Sequence, residues 1–290
     1  MSGNFVQDCV PASGPVRVDY AVVTYGPEGI SRVASMLLPP APGVRYVVSW
    51  QNHDGAPVPD ALERPDVLVV RTSTRGISLN RNNALSHCDA DIVIFADDDL
   101  TLYPGAPDAV REAYARHPEA QVITFRSDHG DPGRFPLSAT RLGRRLPKGY
   151  SVASFEITMR GRAARILRCC PEMGVGAPSI HGGEDELILW TALRNGLETR
   201  FEPAVICAHP HPSTGLRDMP APGNLRAIGC AIALMYPLTA PLRIPLKIWR
   251  LWRDGKGRLP SVALHIAAGA LKAPGIYFRN RDIFNIKTRE

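Results

Sequence analysis

Asp91-Ile92-Val93-Ile94-Phe95-Ala96-Asp97-Asp98-Asp99-Leu100 is the stretch around which this chain is organised. Ile92 to Phe95 is a short apolar run rich in β-branched residues, and such a run between polar residues reads as a buried strand. Three consecutive carboxylates stand at its C-terminal end, the edge at which open α/β sheets bind ligands. Three adjacent carboxylates repel one another and gain nothing from packing. A divalent cation relieves that repulsion, and hard oxygen ligands suit Mg2+ or Mn2+. A solvated acidic turn is the competing reading; the position directly after a buried strand favours the metal.

Working outward, Val16 to Thr24 reads as a first strand, ended by Tyr25-Gly26-Pro27. Glu28 to Leu38 has Ile30, Val33 and Leu37 at helical spacing, and the Pro- and Gly-rich run 39–43 stops it. Val44 to Trp50 and Asp66 to Arg71 read as further strands, with Gln51-Asn52 opening the loop after the former. Ile77 to Ser86 reads as a helix. This order predicts an α/β fold: a Rossmann-like, mostly parallel sheet with helices on both faces. Thr24, Tyr25, Gln51, Asn52 and Asp97 to Asp99 would then gather at one sheet edge. Arg75 and Arg81 flank the third connection; they are either surface residues or partners of a metal-bound diphosphate in the same crevice.

Further along, Pro107 to Arg116 reads as a helix and Gln121 to Phe125 as a strand. Arg126 to Gly149 is basic and without periodicity, and a loop of that length inside a domain is expected to be functional or mobile. Val152 to Met159 alternates like an antiparallel strand, and Gly161 to Arg168 reads as a short helix. Gly182-Gly183-Glu184-Asp185-Glu186 opens a helix that runs to about Asn195, with Leu187, Leu189, Trp190 and Leu193 directed inward and Gly196 as its C-terminal cap. The acidic first turn suits the helix dipole whatever else it does. Arg200 to Cys207 reads as a strand leading to His209 and His211, either of which is a plausible metal ligand or a surface imidazole.

Four pieces, in order, resemble the family 2 glycosyltransferases of the GT-A fold. They are the strand ending in Thr24-Tyr25, the run Gly76-Ile77-Ser78-Leu79-Asn80-Arg81-Asn82, the acidic strand end 96–99, and Gly183-Glu184-Asp185-Glu186-Leu187. His209 resembles the histidine that follows in many members. The resemblance spans about Val18 to Gly215 and implies an inverting transferase that uses a nucleoside-diphosphate sugar and Mn2+ or Mg2+. It implies that Asp99 is the main carboxylate ligand, with Asp97 near nucleoside and metal and His209 completing the metal set. It assigns Asp185 as catalytic base, and Gly76, Arg81, Asn82, Asp98 and Glu184 to the nucleotide-sugar site. Two departures stand out: Val23 replaces a common proline, and Ser49-Trp50-Gln51-Asn52 replaces a common aspartate, which leaves the nucleotide open.

Composition bounds the rest. The chain has 290 residues, enough for one large domain or a domain with an appendage. We expect a flexible N-terminal segment over 1–15, a catalytic domain over 16–224 and a basic amphipathic helical extension over 225–290. The N-terminus lacks the pattern of a signal peptide. The six cysteines show no C-x-x-C pair and read as reduced thiols of a cytoplasmic protein. From Pro241 onward there are 11 Lys and Arg against 3 Asp and Glu, while the other 240 residues carry 23 basic and 25 acidic residues. Arg243, Lys247, Arg250 and Arg253 lie among Leu246, Ile248, Trp249, Leu251 and Trp252, and Leu264 to Leu271 reads as a second helix of this kind. Such a tail suits either an anionic membrane surface on the inner face or a helical pair packed on the domain. An apolar, Trp-containing tail argues against nucleic acid. The expected acceptor is a saccharide or lipid-linked hydroxyl. A sugar-nucleotide nucleotidyltransferase would want a Gly-rich, Lys-containing loop after the first strand, which Thr24-Tyr25-Gly26-Pro27 does not supply; a protein that binds the donor without turnover is the remaining alternative.

Overall fold

A computed structural model describes residues 14–128, 132–209 and 221–286. Among these, nine strands form one sheet: β1 (Val18–Tyr25), β2 (Val44–Gln51), β3 (Val67–Thr72), β4 (Ile92–Asp97), β5 (Thr101–Leu102), β6 (Val122–Asp128), β7 (Thr140–Leu142), β8 (Ile157–Arg160) and β9 (Thr199–Ala208). The order is β3-β2-β1-β4-β8-β6-β9-β5, with β7 also paired to β9. The first four are mutually parallel, β8 is antiparallel to both β4 and β6, and β6 runs parallel to β9. Helices α1 (Gly26–Met36), α2 (Ile77–His87), α3 (Ala106–Arg116), α4 (Gly161–Ile166) and α5 (Glu184–Arg194) connect them. After these come α6 (Pro222–Met235), α7 (Ala240–Arg253), α8 (Leu259–Arg279) and α9 (Arg281–Phe284). This is the expected mixed, mostly parallel α/β architecture.

The strands form where β-branched residues are buried on both faces. Every residue of β1 except Tyr25 is buried, as are Ile92 to Ala96 of β4. Helices cover both faces, and two apolar clusters result. Tyr20, Val22, Tyr46, Val48 and Ile94 pack toward Ile30 and Val33 of α1 and Val110 of α3. Ala21, Val93 and Phe95 pack toward Leu85 of α2 and Ile188 and Leu189 of α5. β1 bonds to β2 on one side and β4 on the other, so the strand order reverses there. A crevice opens beyond the strand ends at such a reversal.

The structure differs from the sequence reading in several places. The 126–149 stretch is not all loop: β6 continues to Asp128 and β7 adds a short antiparallel strand on β9. Only Ile157 onward of the 152–159 segment is strand, because Ser154–Glu156 turns as a 3-10 helix whose Glu156 is held inside. Leu264 to Leu271 lies within the longer α8, which the sequence pattern did not reveal because Gly and Pro punctuate it. The expected N-terminal segment lies outside the described residues as far as residue 13. Cys88, Cys169, Cys170, Cys207 and Cys230 are free thiols.

Candidate active site

Strand register brings the first group of candidates together. Val23 lies beside Asp97 and Tyr25 beside Gln51, so the ends of β1, β2 and β4 share one edge. Above that edge is a cleft of about 1240 Å3. Thr24, Tyr25, Gln51, Arg75, Gly76, Arg81, Asp97, Asp98, Asp99, Glu184, Asp185 and His209 all line it. Asn52 and Asn82 do not. Asn52 is exposed on the turn after β2. Asn82 lies behind the cleft, where its amide donates to the Cys169 carbonyl at 2.8 Å and accepts the Cys169 N–H at 2.8 Å. His211 lies outside the described residues.

The polar face of α2 explains that displacement. Ser78 donates to the Met173 carbonyl at 2.6 Å, Asn80 to the Thr24 carbonyl at 2.9 Å, and Asn83 to Ser49 Oγ at 2.7 Å. Each short polar side chain satisfies a buried partner on a neighbouring segment. The helix clamps the site's walls, and Asn80 rather than Asn82 faces the cleft.

Arg81 is the centre of the arrangement. Its side chain is only 2% exposed, and it binds three carboxylates. Nη1 donates to Asp185 at 2.9 Å and to Glu184 at 3.2 Å, and Nη2 donates to Asp97 at 3.0 Å and to Ser154 Oγ at 2.6 Å. One guanidinium thus joins the acidic strand end to the start of α5. Its donors point at protein carboxylates, so the expected contact with a diphosphate falls to other cations of the cleft. Arg75 stands exposed on the rim.

Helix α5 begins at Gly183, whose left-handed backbone (φ 80°) turns the chain sharply into the helix. Glu184, Asp185 and Glu186 occupy its first turn, where the dipole favours carboxylates. Gly196 (φ 78°) ends it, with Leu197 N–H bonded to the Ala192 carbonyl. Burial pushes the Asp185 carboxyl up to about 7; Arg81 pulls it down, while Glu184 and Asp97 push it up again. About a quarter of the Asp185 side chain (24%) stays open to the cleft, which keeps it accessible and tempers the rise. Burial also raises Glu184 and Glu186.

The three aspartates at the strand end have different partners. Asp98 is taken up inside the protein: Thr24 Oγ1 donates to it at 2.6 Å and Arg32 of α1 at 2.9 Å. Asp97 gives one oxygen to Arg81. Asp99 is 42% exposed, and its Oδ1 lies 3.5 Å from His209 Nε2. The His209 ring stacks on Phe155 at 5.1 Å, which fixes its plane. Among the described residues no group of three or more metal-ligating side chains is gathered at one point. The carboxylate and imidazole of Asp99 and His209 fit a divalent ion whose other ligands come from a bound phosphate or water, as suits Mg2+ and Mn2+.

Several lining residues were missed by sequence reasoning. Arg32 sits on a helix face that reads as ordinary surface. Arg134 falls in the aperiodic basic stretch, whose length was the only signal; it pairs with the buried Glu156, which also accepts from Ser127 and from the Ala153 N–H. The opposite wall comes from the C-terminal helices: Ala227, Ile228, Ile232 and Met235 of α6 and Lys247 of α7. A second cavity, at the other end of the strands, is bordered by Arg17, Asp19, Arg45 and Asp66, whose charges pair with acids and arginines nearby.

The sheet order with helices on both faces is the GT-A fold. The family model described as glycosyl transferase family 2 matches residues 52–176 of this chain. No curated protein sequence matches the chain. Among solved structures, residues 1–349 of TarS from S. aureus share 15% identity with a TM-score of 0.53, over 92% of this chain and 88% of that one. TarS 1–349 in complex with UDP-GlcNAc matches at 13% identity and a TM-score of 0.51 over the same shares. The mannosyltransferase PcManGT from Pyrobaculum calidifontis, in complex with GDP-Man and Mn2+, shares 18% identity with a TM-score of 0.50, over 94% of this chain and 85% of that one. At these identities the likeness concerns the fold.

Proposed function

We propose that this protein is an inverting, metal-dependent glycosyltransferase that moves a sugar from a nucleoside-diphosphate sugar to the hydroxyl of a saccharide or lipid-linked acceptor. The observation that carries it is the Arg81 bridge, which sets a partly open, proton-accepting carboxylate (Asp185) beside the acidic strand end in one cleft. Nucleotide sugars bound to fold neighbours, UDP-GlcNAc in TarS and GDP-Man with Mn2+ in PcManGT, support the donor class.

In this reading Thr24, Tyr25, Gln51 and Gly76 border the nucleoside end of the cleft. Asp99 and His209, with Asp97 beside them, would hold Mn2+ or Mg2+, which supplies Lewis-acid stabilisation of the leaving diphosphate. Arg75 adds positive charge on the cleft rim, whereas Arg32 is already paired with Asp98. Asp185 takes the proton of the acceptor hydroxyl as that oxygen attacks the anomeric carbon from the face opposite the diphosphate. A carboxyl raised toward neutral pH is a stronger base than an exposed one and is still ionised above about 7. Arg81 orients Asp185 and Asp97 but does not take a proton. The basic C-terminal helices would hold the enzyme peripherally on the inner face of a membrane, in surface polysaccharide or glycolipid synthesis.

A screen of nucleotide sugars with Mn2+, read by released nucleotide and by thermal shift, tests this reading. One donor should give release that a chelator stops and that Asp185→Asn suppresses while keeping the thermal shift. Release unaffected by Asp185→Asn would remove Asp185 as base.

A further inference from the structure

The cleft wall made by α6 and α7 has an outward side that the transfer chemistry does not use. The inner face of α7 is apolar: Ile244, Ile248 and Leu251 pack on Leu225 and Ile228 of α6 and on Val262 and Ile266 of α8. Its opposite face is apolar too. Leu242, Leu246 and Trp249 recur at intervals of four and three residues, one stripe of a helix, and are 77, 45 and 47% exposed. Trp252 stands beside them, also exposed. Exposed Arg243 and Arg250 border this stripe; Arg253, paired with Asp254, lies over the Trp249 ring at its end, and exposed Lys256 and Arg258 follow the helix. A soluble surface helix has one apolar face; here the second is left in water beside a line of cations, the pattern of a helix lying in an anionic interface.

The attachment of α8 shows how such a helix must lie. By length and composition α8 could cross a membrane. It is instead fastened to the catalytic body: a Cβ at Gly229 of α6 would lie 1.9 Å from the Ile266 carbonyl oxygen, and one at Gly269 would lie 2.0 Å from the Arg226 carbonyl oxygen. The two backbones touch, and Ala227 and Ala231 of α6 share a cluster with Leu187 and Trp190 of α5, the helix that begins with Asp185. A spanning α8 would have to leave that contact. A bilayer that met the tail would therefore do so from the side.

We propose that α7 is an in-plane docking helix for an anionic lipid bilayer, inserted through Leu242, Leu246 and Trp249 and held by Arg243, Arg250 and Arg253. Lys247, on the same helix, lines the cleft. The docking element is thus the rim of the active site, and the acceptor presented there is a lipid-linked saccharide or lipid hydroxyl at the membrane surface. The acceptor class rests on the glycosyltransferase reading; the docking does not.

The test uses the full chain with vesicles of phosphatidylglycerol and phosphatidylcholine. Trp50 and Trp190 are buried while Trp249 and Trp252 are exposed, so quenching by brominated acyl chains reports on α7. The intact protein should co-sediment at low salt with quenched tryptophan fluorescence, and should bind phosphatidylcholine alone weakly. Arg250→Glu with Arg253→Glu should lower vesicle affinity by at least ~10-fold at low salt. Leu246→Asp with Trp249→Asp should remove the part of binding that salt does not screen. These side chains are exposed, so both variants should keep the melting temperature and the thermal shift with UDP-GlcNAc or GDP-Man plus Mn2+, whichever the parent shows. No vesicle binding by the intact protein, or equal binding by both variants, overturns the docking. So does a dimer in solution that the apolar variant dissociates, since a second copy would then cover the stripe. Vesicle binding without any nucleotide-sugar response would leave docking standing and count against the glycosyltransferase reading. With isolated membranes of the source cells and a labelled active donor, label should enter the organic-extractable fraction; label confined to water-soluble products overturns the acceptor class.

Discussion

Replacing Arg81 by Met keeps most of the side-chain volume and removes one positive charge from among three carboxylates. The guanidinium is 2% exposed and lies within 3.2 Å of Asp97, Glu184 and Asp185. Removing one partner of a buried ion pair costs roughly 3–5 kcal/mol, because the remaining charge is left unpaired. Asp97 and Asp185 keep 23 and 24% of their side chains exposed, so water offsets part of the loss. The expected cost is therefore at the lower end, about 3 kcal/mol at pH 8. For a domain of this size that is roughly a 6–12 °C drop in melting temperature. The cost should depend on pH. Burial already raises the folded-state pKa of Asp185 and Glu184, and Arg81 opposes that rise. Without Arg81 both rise further above their unfolded values. The variant then gains stability relative to the parent as pH falls from the raised pKa toward the unfolded one, because protonation relieves the repulsion. Urea unfolding at pH 8 and pH 5.5 checks this. A loss below about 1 kcal/mol, or a deficit equal at both pH values, would refute the view that Arg81 compensates this acidic cluster.

Further outcomes follow from the same geometry. Asp185→Asn should lower transfer at least ~10²-fold with donor binding retained, measured by nucleotide release and by titration calorimetry. The parent's transfer rate should fall as pH drops through about 7, where Asp185 takes up its proton; a rate flat from pH 8 to 5.5 would exclude it as the titrating base. Asp99→Ala should abolish Mn2+-dependent donor binding while leaving the melting temperature within a few degrees, since Asp99 is half in solvent. Gly229→Ala puts a methyl 1.9 Å from the Ile266 carbonyl oxygen and should cost about 1–3 kcal/mol by forcing α6 and α8 apart, read by urea unfolding.

Much of the architecture was legible in the linear pattern. Val18 to Thr24 and Ile92 to Phe95 are buried on both faces, so their apolar runs could hardly be anything but central strands. Three carboxylates directly after such a strand marked the ligand edge, because strand ends in a parallel sheet share one side. The helix after Gly183 was equally plain, with its acidic first turn, its inward Leu187, Leu189, Trp190 and Leu193, and its terminal Gly196.

What the pattern could not contain was who pairs with whom. Adjacent Asp97, Asp98 and Asp99 look alike in sequence, yet their side chains leave the chain in different directions: Asp97 toward Arg81, Asp98 toward Thr24 and Arg32, Asp99 toward His209. Asn80 and Asn82 are separated by two positions on α2, and a rotation of about 200° along the helix puts one on the cleft and the other behind it. Arg81 reads as either a surface cation or a diphosphate partner until the fold brings Glu184 and Asp185, more than 100 residues away, against it. The tail reads as either a membrane-surface extension or a helical pair packed on the domain, and only the folded chain shows Ala227, Ile228, Ile232, Met235 and Lys247 lining the cleft. Short-range periodicity follows from local backbone geometry and is written in the sequence. Ion pairs and helix contacts between distant segments depend on side-chain direction and on packing, which only the folded chain decides.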